Sequence, residues 1–203
     1  YSDLVRTNQQ WGRAGAEYEL LDTGVFNDNR YFDVQVEYAK ASAEDILIRI
    51  SLTNRGPEAA PLHLLPTLWF RNTWSWGDGA KKPVIRKSTD TVCHITHPDL
   101  GQRWLYSEAV PRLFTENETN FKTLFDADNS SPYLKDGIHR AVIHNETEAV
   151  NPAQTGTKVS VNHPFTLQPG ETQVVKLRLS PNADVADPLG SAFEQTFQTR
   201  LQE

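Results

Sequence analysis

The sequence predicts an all-β fold, an antiparallel β-sandwich with a C-terminal helix. Three observations predict the β class and the helix. Apolar residues recur with period two through much of the chain, the stretches between them carry Gly, Pro and Asn, and a 3.6-residue apolar period is confined to the last stretch.

Taking the elements in order, the apolar run at residues 18–21 is followed by Phe32, Val34, Val36 and Tyr38 alternating with Asp33, Gln35 and Glu37. Such alternation places the apolar set on the core face of a strand and the polar set on a wet face. After a polar break at 41–45, Ile46, Ile48, Ile50 and Leu52 alternate again, and the short connection makes the two strands antiparallel neighbours. Asn54-Arg55-Gly56-Pro57 is turn chemistry. Residues 62–70 read as a third strand interrupted at Pro66, the mark of an edge or a bulge. Residues 91–96, 103–106, 112–114 and 121–125 read as further strands, and 131–144 as a loop with at most one helical turn. Residues 158–165 and 173–179 are strands joined through the turn Gln168-Pro169-Gly170-Glu171. The one helix expected lies at the end, with Asp187 as its cap, Pro188 in its first turn and Leu189, Phe193, Phe197 and Leu201 on one stripe. Residues 1–186 are read as the sandwich domain and 187–203 as its C-terminal helix.

Composition bounds the function. With 38% apolar residues among 203, the chain has the material for a sizeable core. Its net charge of -6, with only short basic clusters at Lys81-Lys82 and Arg86-Lys87, disfavours nucleic acid. No run of about 18 apolar residues exists, so no membrane span is expected. A single cysteine, Cys93, excludes a disulfide-stapled scaffold and fits a reducing compartment, so a cytoplasmic location is expected, with a periplasmic or secreted one left open because a large domain also folds without bridges. The chain begins at Tyr1 and contains no methionine, which reads as a processed chain or a piece of a longer one.

Cys93-His94-x-x-His97 has metal-ligand residue types, but a strand there points residues 94 and 97 to opposite faces, so no metal is expected. His63, His139, His144 and His163 are isolated. Among 26 acidic residues no pair stands out as glycosidase carboxylates; Glu44-Asp45 and Glu116/Glu118 read as solvated turn residues. Serine-nucleophile motifs, phosphate loops and dinucleotide fingerprints are absent, and no cofactor is expected.

The least ordinary segment is Trp69-Phe70-Arg71-Asn72-Thr73-Trp74-Ser75-Trp76-Gly77, which holds three of the five tryptophans. Trp69 is read as core. Asn72, Ser75, Gly77, Asp78 and Gly79 are loop formers, so Trp74 and Trp76 are expected on a loop at the sandwich edge rather than in a continuing strand. Indole faces stack on the C–H face of a sugar, and Arg71 and Asn72 are donors for its hydroxyls. By residue type alone the tryptophans equally suit covering an edge or an interface; Arg71, Asn72, Trp74 and Trp76 become the candidate substrate-binding or domain-interface residues through the resemblance described next, which implies a sandwich whose loops approach the sugar site.

Several segments resemble bacterial proteins related to glycoside hydrolase family 63, the mannosyl-oligosaccharide-glucosidase-like proteins. They are Glu19-Leu-Leu-Asp-Thr-Gly-Val-Phe26, Arg30-Tyr-Phe-Asp-Val34, Glu37-Tyr-Ala-Lys40, Leu62-His-Leu-Leu-Pro-Thr-Leu-Trp-Phe-Arg-Asn-Thr-Trp-Ser-Trp-Gly77 and Phe114-Thr-Glu-Asn-Glu-Thr-Asn120. Tyr133-Leu-Lys-Asp136, Gly156-Thr-Lys158 and the terminal Phe193-x-x-x-Phe197-x-x-Arg200 fit the same pattern. The resemblance implies an antiparallel β-supersandwich of the galactose-mutarotase-like kind over residues 1–186, with 187–203 as the start of a C-terminal linker helix towards an (α/α)6 catalytic barrel of the same parent chain, acting on α-glucosides with inversion, with carbohydrate as the ligand. The family's catalytic acid and base have no counterpart in these residues, so no catalytic residue is assigned here. A stand-alone carbohydrate-binding module is the rival reading. A mutarotase-like epimerase is another, and it requires histidines such as His63, His94 and His163 to converge with a carboxylate.

Overall fold

The computed structural model describes residues 1–77 and 79–203; Asp78, one of the expected loop formers, lies outside the described residues. In chain order the elements are α1 (Ser2–Trp11), β1 (Phe32–Ser42), β2 (Asp45–Asn54), β3 (Ala60–Leu64), β4 (Thr67–Trp69), β5 (Val84–Lys87), β6 (Val92–His97), β7 (Gly101–Tyr106) and β8 (Arg112–Thr115). There follow α2 (Phe121–Phe125), α3 (Gly137–His144), β9 (Thr155–Gly156), β10 (Lys158–Val161), β11 (His163–Leu167), β12 (Thr172–Ser180) and α4 (Ser191–Gln202). The strands form a seven-stranded sheet in the order β1-β2-β12-β7-β6-β5-β9, a three-stranded sheet β4-β10-β8 and a two-stranded sheet β11-β3. The fold is all-β, antiparallel and sandwich-like, with a C-terminal helix.

The chain divides into two compact units. The smaller comprises Tyr1–Gln35, Ser51–Pro61 and Thr166–Val174. Within it, Asn54 is buried and its side-chain amide donates to the carbonyls of Glu58 and Leu167, at 2.8 and 2.9 Å, while its Oδ1 accepts from the Gly56 amide. One asparagine thus closes the turn expected at residues 54–57. α1 stands where no element was expected. Asn8 fastens it by bonding both the amide and the carbonyl of Tyr18, and Trp11 meets the Tyr18 ring edge-on at 5.5 Å. The apolar run at 18–21 leads into a 3-10 turn, Leu20–Thr23, closed by reciprocal Glu19 and Asp22 capping bonds.

The larger unit comprises Val36–Ile50, Leu62–Phe165 and Val175–Glu203. Its main core lies between sheets: Ile50, Ile85, Cys93, Ile95, Leu105, Val175 and Leu177 from the seven-stranded sheet meet Phe114, Val159 and Val161 from the three-stranded one. On the other face of the large sheet, Phe193 and Phe197 of α4 pack on Ala39 and Leu47, with Leu189 beside them. Leu201, the last residue of the expected stripe, is exposed.

This second layer corrects the reading of β1. Its apolar residues Val34, Val36 and Tyr38 are exposed, whereas Glu37 pairs with Arg49 at 2.8 Å and Ala39 is buried in the α4 cluster. The period-two pattern is real, but the face that α4 covers is the one carrying Glu37 and Ala39. Both faces of β2 are used, with Leu47 towards α4 and Ile50 towards the sheet core.

Other expectations change in detail. Residues 62–70 split at Leu65-Pro66 into β3 and β4, which join different sheets, and residues 158–165 likewise split into β10 and β11. The expected strand at 121–125 is the helix α2, because Asn120 accepts from the Thr123 amide and caps it. The expected loop at 131–144 contains two turns of helix in α3. α4 starts at Ser191 with Gly190 as its N-cap, not at Asp187. Asp187 has φ 45, and its carboxylate lies 1.7 Å from where a Cβ on Gly190 would stand, so a side chain there would have to displace it. Trp69 is 54% exposed rather than core.

Candidate functional site

The tryptophan segment leaves β4 at Trp69 and closes into a 3-10 turn, Thr73–Trp76, ending at Gly77 with φ 85. It is a turn and not a continuing strand. The four candidate residues part company here. The Trp74 indole is half-buried, and its Nε1–H donates to Glu118 Oε1 at 2.8 Å. Trp76 is 56% exposed, with the Arg71 guanidinium over its ring at 4.9 Å, a cation–π arrangement. Asn72 is half-buried, and its Oδ1 is buried with no hydrogen-bond partner among the described residues.

Glu118 corrects the reading of the acidic residues as solvated, being 8% exposed. Lys82 Nζ donates to the same Oε1 at 2.9 Å and lies 3.1 Å from Glu116, while the Ser130 hydroxyl donates to Glu118 Oε2. Burial works against the Glu118 carboxylate, but bonds from Ser130, Trp74 and Lys82 outweigh it and hold its pKa below the usual range. Burial also works against the Lys82 ammonium, and the bonds to Glu118 and Glu116 more than offset this and raise its pKa.

Further residues tie the same corner together. Asn117 Nδ2 donates to the Phe70 carbonyl at 2.9 Å, and the Asn117 amide donates to Thr157 Oγ1 at 2.7 Å. The Thr157 hydroxyl in turn donates to Glu116 Oε2 at 2.8 Å, and the Phe70 amide donates to the Thr157 carbonyl at 3.2 Å. Lys135 donates its amide to the Glu118 carbonyl and its ammonium to Thr119 Oγ1, and Asn120 Nδ2 reaches Asp136 Oδ2 at 2.9 Å. Gly156 permits the close approach: a Cβ there would stand 2.2 Å from the Thr115 carbonyl oxygen. Four stretches distant in sequence, around residues 69–77, 114–120, 133–136 and 156–158, therefore meet in one polar network. α2 follows it directly, with Phe121, Leu124 and Phe125 exposed.

The histidines take separate partners. His63 bonds Asn162, His94 bonds Gln102 and lies against Trp104, and His97 lies against Phe70. His163 is buried 3.6 Å from Glu108, its pKa lowered by burial and by Arg112. Among the described residues His63, His94 and His163 thus have different polar partners, Asn162, Gln102 and Glu108. Among the described residues no group of three or more His, Cys, Asp or Glu could hold a metal. Cys93 is fully buried and its thiol pushed up to about 11 by burial, which makes it a core residue and not a nucleophile. Tyr106 donates to the Asn182 and Ala183 carbonyls, away from the tryptophan turn's own bonds. Among the described residues no helix is long and apolar enough to cross a membrane.

No family model matches the chain. It is similar to the uncharacterized protein YMR196W of Saccharomyces cerevisiae, 29% identical over 232 aligned positions that cover 96% of this chain and 21% of that protein. The chain thus spans about a fifth of the length of the curated relative it matches.

Proposed function

We propose that this chain is a non-catalytic β-sandwich part of a larger glycoside hydrolase acting on α-glucosides, and that its tryptophan corner walls the sugar site beside an (α/α)6 catalytic barrel. One observation carries the reading. Four of the eight stretches whose residues resemble the family 63 proteins, 62–77, 114–120, 133–136 and 156–158, meet in the polar network that holds Glu118, and the corner they build leaves Trp76 and Arg71 facing solvent. An exposed indole with a guanidinium on one side offers an apolar face for the C–H face of a pyranose and donors for its hydroxyls. The length of the yeast relative is in keeping with a sandwich that belongs to a longer polypeptide.

On this reading the chemistry belongs to the barrel. One carboxylic acid protonates the leaving oxygen and a second carboxylate activates water on the opposite face of the sugar. The present chain orients sugar and excludes water, and none of its carboxylates is assigned a proton. Glu118 is unsuited to that work, since both its oxygens are already engaged by Trp74, Lys82 and Ser130.

Aryl α-glucosides and α-gluco-oligosaccharides, incubated with the chain alone and with a polypeptide extended by its downstream barrel, test the proposal. The chain alone is expected to release no sugar and the extended protein to turn over. Turnover by the pure chain that disappears on mutating one of its own residues would overturn the reading.

A further inference from the structure

Trp74 and Lys82 flank Gly77 and Gly79 and reach the same oxygen, Glu118 Oε1, at 2.8 and 2.9 Å. Ser130 holds the other oxygen from a third direction. Trp74 has therefore committed its one N–H donor, and Lys82 lies 5.7 Å from the centre of its ring. Trp76, two residues on, is the indole left in solvent. The Ser75 hydroxyl donates to the Asn72 carbonyl at 3.1 Å and closes the turn between them.

We infer that Glu118 is the positioning residue of this corner: it latches the turn Thr73–Trp76 through Trp74 and ties it to Lys82, so that Trp76 with Arg71 is the pair that meets sugar. The sugar half of this inference rests on the function proposed above; the latch does not. A buried carboxylate accepting from an indole and an ammonium makes charge-assisted bonds, which are shorter and stronger than neutral ones. Removing it strands the Trp74 N–H and leaves Lys82 with Glu116 alone, at 3.1 Å. The turn Thr73–Trp76 then keeps its covalent link to β4 and loses the bond from Trp74 to the buried carboxylate.

The test uses the 203-residue chain, wild type and with Glu118→Ala, Glu118→Gln, Trp74→Phe or Trp76→Ala, and two readouts. The first is amide hydrogen exchange. Glu118→Ala is expected to speed exchange at residues 73–76 by about tenfold or more, the worth of a lost bond to a charged group, with β6 and β7 unchanged. Glu118→Gln keeps an acceptor for the indole and should restore most of the protection. The second readout is tryptophan fluorescence during titration with maltotriose. Trp76→Ala should abolish the response with exchange at 73–75 near the wild-type rate, and Glu118→Ala should weaken binding about tenfold.

Wild-type exchange in Glu118→Ala overturns the latch, whatever the sugar does. No maltotriose response from the wild type overturns the sugar contact, while exchange still decides the latch. Should Glu118→Ala fail to fold, Trp74→Phe removes the same bond from the other side. Faster exchange at 73–76 there supports the latch, and an unchanged rate overturns it.

Discussion

On α4, Arg49 lies over the Phe197 ring at 4.3 Å and Lys176 near Phe193 at 5.4 Å, with Glu194 reaching both cations. At the tryptophan corner Arg71 lies over Trp76 at 4.9 Å and Lys82 near Trp74 at 5.7 Å, with Glu118 binding Lys82. The parts are the same and the arrangement is reversed. On α4 the aromatic rings are buried, 0% and 3% exposed, and the bridging carboxylate is on the outside. At the corner the carboxylate is buried and an indole is outside. Burying rings and exposing ions is what stability alone selects, since apolar area removed from water is favourable and desolvated charge is costly. The corner does the opposite, with its carboxylate inside and an indole outside, which is the arrangement the proposed sugar contact draws on.

The comparison breaks most readily at Phe193. Replacing it with alanine removes a fully buried ring from the contact between α4 and the sheet, and is expected to cost about 3–5 kcal/mol in urea unfolding. A loss below about 1 kcal/mol would mean that α4 is not integral to the larger unit.

Acid separates the two regions next. Bonds from Arg49 hold the pKa of Glu37, on the α4 face, below the usual range, and Glu118 is lowered despite its burial. A carboxylate depressed in the folded state adds stability above its unfolded pKa, about 4.3 for Glu, and loses it as pH falls through the folded value. Stability should therefore drop below about pH 4.3, and Glu37→Gln and Glu118→Gln should each flatten that slope. The regions differ in signal. Trp74 bonds directly to Glu118, so its fluorescence should change as Glu118 protonates, and that change should be missing in Trp74→Phe.

Much of the fold was legible because strand patterning and turn chemistry are local. The alternation from Phe32 to Tyr38 and the turn at 168–171 both stand at ladder and turn positions in the structure. The inward face of β1 was not legible, because α4, some 150 residues away in sequence, decides it. α2 and α3 were missed for a different reason: both are short and depend on a neighbour, α2 on its Asn120 cap and α3 on Gly137, where a Cβ would stand 2.2 Å from the Ala149 carbonyl oxygen. At the site, the tryptophans were visible by their density and the turn by its loop-forming residues. Glu118 looked like one acidic residue among 26, because the groups that engage it, Trp74, Lys82 and Ser130, are scattered along the chain. Only its position within the Phe114–Asn120 stretch carried a signal.

The smallest expected effect on stability sharpens the comparison most. Trp76→Ala removes a side chain already more than half in solvent, whose close partner is the exposed Arg71. Surface substitutions away from buried bonds stay within about 0.5 kcal/mol, so the urea midpoint of the chain should hardly move. A ring kept for packing could not be removed so cheaply; one kept for contact can. On the function proposed above, in a polypeptide extended by a catalytic barrel the same substitution should lower kcat/KM for an α-gluco-oligosaccharide by about two- to tenfold, the loss of one aromatic contact worth about 0.5–1.5 kcal/mol. A large stability loss in the isolated chain would place Trp76 with Phe193 as core, and the reversal between the two regions would disappear.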